Sequence, residues 1–111
     1  MNYHGKNFRS IANSPNGEVS GDTLFHYEQT GKIVTASYSG GGIVQGHLIA
    51  LADEQGCLAM RYHHVNVQGE LQTGTCQSVP EILPDGRIRL HETWRWTSGD
   101  GSSGSSMVEE C

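Results

Sequence analysis

The stretch Cys57-Leu58-Ala59-Met60-Arg61-Tyr62-His63-His64-Val65-Asn66-Val67 decides the fold, because the runs on either side can be registered against it. A β-strand sends alternate side chains to opposite faces, so one face here carries Ala59, Arg61, His63 and Val65 and the other Leu58, Met60, Tyr62 and His64. Neither set is purely apolar. The inward face must therefore be assigned from the neighbouring strands.

Those neighbours are easy to delimit. Thr23 to Gln29, Lys32 to Ser39, Ile43 to Ala52, Glu70 to Leu83 and Arg87 to Thr97 all read as strands rich in β-branched, aromatic and alternating residues. Phe8 to Asn13 forms a further short strand, and the polar run from Ser14 to Asp22 a loop. Ser98 to Ser106 reads as a Gly/Ser/Asp connection, and Met107 to Glu109 as a short last strand. The separators Thr30-Gly31, Gly40-Gly41-Gly42, Asp53-Glu54-Gln55-Gly56, Gln68-Gly69 and Pro84-Asp85-Gly86 are short enough for antiparallel hairpins. No stretch holds helical spacing over several turns, so the chain is read as all-β.

Short turns fix register, and register fixes faces. A two-residue Gln68-Gly69 turn sets Val67 against Glu70, Arg61 against Cys76 and His63 against Gly74. A three-residue Pro84-Asp85-Gly86 loop sets Leu83 against Arg87, Cys76 against Trp94, Ser78 against Glu92 and Gly74 against Trp96. A two- or four-residue loop within Asp53 to Gly56 aligns Leu48 and Ala50 with the Ala59/Arg61/His63 face. A three-residue glycine loop then adds Val44, Gly46, Tyr38, Ala36, Val34, Phe25 and Tyr27 to that face. With Ile88, Leu90, Trp94 and Trp96 this face is assigned inward. Glu28, Thr35, Ser37, Gln45, Thr73, Thr75, Arg89, Thr93 and Arg95 face out, together with Ile33, Ile49, Met60 and Tyr62. A meander of about eight strands with one apolar face and no covering helix buries that face by curling into an up-and-down barrel. A two-sheet sandwich is the competing architecture.

The totals bound the function. The chain has 111 residues, enough for a single domain spanning 1–111 with one site. Seven basic residues scattered singly under a net charge of −5 leave no stripe for phosphates, which argues against nucleic acid as a partner. The N-terminal residues show no apolar run for a signal peptide and no later stretch approaches a membrane span. Three cysteines without zinc-type spacing fit free thiols in a reducing compartment, so a cytoplasmic location is expected.

In this register Arg61, His63 and Glu92 point into the barrel. Charged groups there require partners, and Arg61 and Glu92 reach each other across Cys76 and Ser78 as an internal ion pair. The competing reading of the same residues is a small-molecule site. Gly46, Gly74, Cys76 and Ser78 leave room, Tyr27, Tyr38, Trp94 and Trp96 form walls, and Arg61 and His63 donate to a polar or anionic ligand. The expected ligand-binding set is Tyr27, Tyr38, Arg61, His63, Cys76, Glu92, Trp94 and Trp96, with no metal and no identified cofactor. Two other arrangements compete with it. An outer group of His47, His64 and His91 could bind a metal, and Cys76 with His63 could act as a nucleophile–base pair.

One resemblance covers most of the chain. Tyr38-Ser39-Gly40-Gly41, Gly46-His47-Leu48-Ile49, Met60-Arg61-Tyr62-His63, Pro80-Glu81-Ile82-Leu83-Pro84, Arg89-Leu90-His91-Glu92, Trp94 and Trp96-Thr97-Ser98-Gly99-Asp100 resemble a family of small bacterial proteins often labelled N-acetylglutamate synthase. That resemblance implies acetyl transfer to glutamate as the enzymatic alternative, with no transferable catalytic residue. More loosely, the barrel is similar to the lipocalin-like ligand binders of the calycin group.

Overall fold

The computed structural model describes residues 1–111 and contains eight strands and no helix. The strands are β1 (Asn7–Asn13), β2 (Leu24–Thr30), β3 (Ile33–Gly40), β4 (Ile43–Ala52), β5 (Leu58–Asn66), β6 (Leu71–Ile82), β7 (Ile88–Trp96) and β8 (Ser103–Glu110). Each pairs antiparallel with its sequence neighbours, and β8 pairs back onto β1 to close the barrel. Closure removes both sheet edges, and alternation along every strand puts one set of side chains in the lumen. The barrel is therefore the architecture, not the sandwich. The last strand is longer than expected, because Ser103 to Ser106 pair with β7 instead of forming a connection.

Most of the inward face agrees with the sequence reading. Phe25, Tyr27, Val34, Ala36, Tyr38, Leu48, Ala50, Ile88, Leu90, Trp94 and Trp96 are all buried in the core. Val44 is the exception, at 58 % exposure. Gly40 pairs with Ile43 across a two-residue turn, and a bulge between Ile43 and Gln45 turns Val44 outward while Ile43 is buried in its place.

The decisive strand, β5, is turned over. Leu58, Met60 and His64 are buried and Tyr62 packs against the core, whereas Arg61 and His63 are exposed. The cause lies in the two flanking hairpins. At one end Asn66 pairs with Glu70 around the three-residue loop Val67-Gln68-Gly69, and at the other Asp53 pairs with Cys57 around Glu54-Gln55-Gly56. In both loops the residue before the turn is an Asx side chain that accepts amides two and four residues on. Asp53 Oδ1 takes the Gln55 and Cys57 N–H groups, and Asn66 Oδ1 those of Gln68 and Glu70. Gly56 and Gly69 close the loops at φ of 84° and 79°, the left-handed conformation that a three-residue hairpin ending in a bulge demands. Each loop shifts register by one residue relative to the expected turn. The shifts act on the two ends of the same strand, so β5 alone is inverted and its neighbours keep their faces.

Candidate functional site

The barrel has two unlike ends. One is filled by Tyr3, Phe8, Tyr27, Leu58, Leu90 and Val108, all fully buried, with the Tyr3 hydroxyl donating to the Gly56 carbonyl. The other is crossed by the connection between β1 and β2, residues 14–23. That segment is pinned from within the lumen. Glu18 Oε1 lies 2.7 Å from His64 Nε2, Asn66 Nδ2 donates to Glu18 Oε2 at 3.1 Å, and Trp96 Nε1 donates to the Asn16 carbonyl at 3.0 Å. His64 Nδ1 also meets the Tyr38 hydroxyl at 2.9 Å.

Between plug and crossing segment lies a cavity with about 60 Å³ of water-accessible space. β7 contributes Trp94 and Trp96, whose rings meet edge to face at 5.5 Å between centroids. β5 contributes Tyr62, 5.8 Å from Trp96, and β2 and β3 contribute Phe25 and Tyr38, stacked at 4.8 Å. Leu48 and Met60 complete the apolar lining. Room for these rings depends on small residues opposite them. A Cβ at Gly46 would come within 2.5 Å of the Tyr38 ring, and one at Gly74 within 2.2 Å of the Tyr62 hydroxyl.

The polar part of the lining is acidic and acceptor-rich. Glu92 projects into the lumen and accepts from Ser78 Oγ at 2.9 Å and Ser106 Oγ at 3.0 Å. Burial raises its carboxyl above the ordinary value, and the two hydroxyl donors only partly offset this. Burial also pushes up the Tyr38 and Tyr62 phenols and the Cys76 thiol, the last with help from the nearby Glu92 charge. All three are therefore neutral groups at neutral pH. Two buried oxygens have no partner, the Tyr27 hydroxyl and Asn13 Oδ1.

Set against the expected site, the structure brings together Tyr38, Cys76, Glu92, Trp94 and Trp96 around the cavity. Tyr27 is buried in the plug beneath them. Arg61 and His63 are excluded, because the inverted β5 points them outward. The Arg61–Glu92 ion pair does not form: Arg61 Nη1 donates to the Met60 carbonyl instead. Cys76 and His63 lie on opposite sides of the wall, and a thiol held protonated by burial is a poor nucleophile, so that pair has no catalytic geometry. Of the outer histidine group, His64 is inside, whereas His47 faces His63 across β4 and β5 with ring centroids 6.0 Å apart. His91 is occupied by Glu81 at 2.8 Å. The structure contains no group of three or more His, Cys, Asp or Glu side chains placed to hold a metal.

The residues missed were Glu18, Met60, Tyr62, His64 and Asn66. All but Glu18 follow from the register of β5, and the repeated Asx-x-x-Gly pattern in Asp53 to Gly56 and Asn66 to Gly69 was the signal that could have found them. Glu18 lies in an irregular loop without periodicity.

No curated protein and no solved structure matches the chain. A family model described as avidin-like protein matches residues 1–111. This match agrees with a calycin-type barrel and lends no support to the N-acetylglutamate synthase label. The chain thus belongs to the avidin-like family, a family of calycin-type β-barrels.

Proposed function

We propose that the protein binds a small molecule inside the barrel, beneath the segment 14–23. One observation carries this reading: an apolar, aromatic cavity with a few convergent polar groups lies at one end of an otherwise filled lumen. Avidin-like proteins typically bind small molecules such as biotin, which makes biotin the first compound to try. The cavity is far smaller than the ~300–1,000 Å³ of pockets for drug-sized ligands. A ligand of biotin's length therefore requires the crossing segment to swing away, whereas a compact one fits beneath it. Acetyl transfer has no comparable support, since the barrel lacks the helix N-terminus on which acetyltransferases seat a cofactor pyrophosphate. Three free cysteines fit a reducing, cytoplasmic setting for such a binder.

The test uses the protein's own reporters. Trp94 and Trp96 are its two tryptophans and both line the cavity, so their emission reads the lumen. Titration with biotin and a panel of compact metabolites is expected to shift that emission and to raise Tm with ligand concentration. If no compound changes either signal, lumen binding is wrong.

A further inference from the structure

We infer that the cavity selects a compact protonated amine, with the Glu92 carboxylate as its counter-charge and the ring walls around its alkyl body. The inference rests on the lumen-binding reading and gives it a ligand class.

The first support is an unbalanced charge. Glu92 faces the lumen with two serine hydroxyls and no lysine, arginine or histidine within ion-pair distance. The one basic group among the lining residues, His64, is engaged by Glu18. A half-buried carboxylate supported only by neutral donors is unfavourable, and an incoming cation compensates it.

The second support is the sign of the unmet hydrogen bonds. Asn13 lines the cavity, and its amide nitrogen donates to the Val19 carbonyl at 2.8 Å, which identifies the unpartnered Oδ1 as an acceptor. The Glu92 carboxylate and this amide oxygen are both acceptors, and an ammonium group with three N–H donors complements them.

The third support is the wall. Trp94, Trp96, Tyr62, Tyr38 and Phe25 present π-faces and edges around the same space, and cations are attracted to such faces most strongly where water is excluded. Size points the same way, since about 60 Å³ of water-accessible space favours a compact ligand over a drug-sized one.

Three probes with similar branched alkyl bodies separate charge from shape: isobutylammonium, isobutanol and isobutyrate. In titrations of tryptophan emission at neutral pH, isobutylammonium is expected to bind at least about tenfold more tightly than isobutanol, with isobutyrate weakest. Glu92→Gln should remove that preference, bringing the amine's affinity down to that of isobutanol. Wild-type protein supplies a check that needs no variant: amine affinity should rise with pH as Glu92 loses its proton, and isobutanol affinity should stay flat. If isobutanol or isobutyrate binds as tightly as the amine, the charge assignment is overturned and the lumen site survives. If neither these probes nor biotin and the metabolite panel perturbs the tryptophans, both readings fall together.

Discussion

The two ends of the barrel are built from different chemistry. The plugged end is a cluster of rings and aliphatic side chains, with Phe8 centred 4.8 Å from Tyr27 and 6.4 Å from Tyr3. The crossed end is held by hydrogen bonds from His64, Asn66 and Trp96 to a loop, the first two meeting the Glu18 carboxylate. Close packing in the first has no low-energy partial state, since any opening exposes apolar area and leaves voids. Polar contacts in the second can be exchanged for water one at a time, at a net cost of about 1 kcal/mol each. Permanence at one end and reversibility at the other is what a one-mouthed container requires.

The comparison is broken most strongly at the plug. Phe8→Ala removes a fully buried ring and should cost about 3 to 5 kcal/mol, measured by urea denaturation followed through tryptophan emission. A loss below 1 kcal/mol would mean that this end is not the stabilising one. Next comes the waist. Gly74→Ala forces a methyl against Tyr62 and the Arg95 carbonyl, at an expected cost of about 1 to 3 kcal/mol, and pushes Tyr62 toward the cavity. Ligand affinity should fall with stability, and a full-strength ligand response would sever Tyr62 from the site.

At the mouth, Glu18→Ala leaves the buried His64 Nε2 without its partner and frees the segment. The stability cost should be about 1 to 2 kcal/mol, with a larger effect on ligand exchange, read as a faster dissociation rate in stopped-flow fluorescence. Equal rates in both proteins would show that residues 14–23 do not gate entry.

The smallest effect concerns Glu92 and reverses sign. An acid whose folded-state pKa exceeds its unfolded value weakens folding as pH rises past the unfolded value, and the penalty is complete above the folded one. Burial raises Glu92 from the ordinary 4.5, so the penalty grows from about that pH upward and is absent below it. Glu92→Gln should therefore be more stable than wild type at neutral pH by on the order of 1 kcal/mol, with the difference vanishing toward pH 4.5. A variant less stable at pH 7 than at pH 4.5, relative to wild type, would contradict the assignment.

How much of this was legible follows the hairpins. Pro84-Asp85-Gly86 is a three-residue loop in both sequence and structure, so Cys76, Ser78, Glu92, Trp94 and Trp96 were placed correctly. Gln68-Gly69 resembled a two-residue turn because a dipeptide ending in Gly is the usual mark of one, yet the Asn66 side chain recruits Val67 into the loop. The opposite hairpin erred by the same single residue, so the neighbours of β5 agreed with each other and exposed no conflict. Arg61 and His63 entered the expected site for that reason, and His64 left it. The contacts of Glu18 are tertiary: nothing local in residues 14–23 specifies which strand they meet.

Closure by the first and last strands also has a consequence for synthesis. β1 emerges from the ribosome first, but its second edge pairs only with β8, through Phe8 with Glu110 and Ser10 with Val108. Until β8 appears, β1 and β7 each present an unpaired edge beside a half-covered apolar face, the state in which sheets join to the wrong partner. The nascent chain cannot complete its tertiary structure piecemeal. Truncation before Ser103 should therefore yield aggregating material rather than a seven-stranded relative, and chaperone demand should end abruptly when the last strand is released.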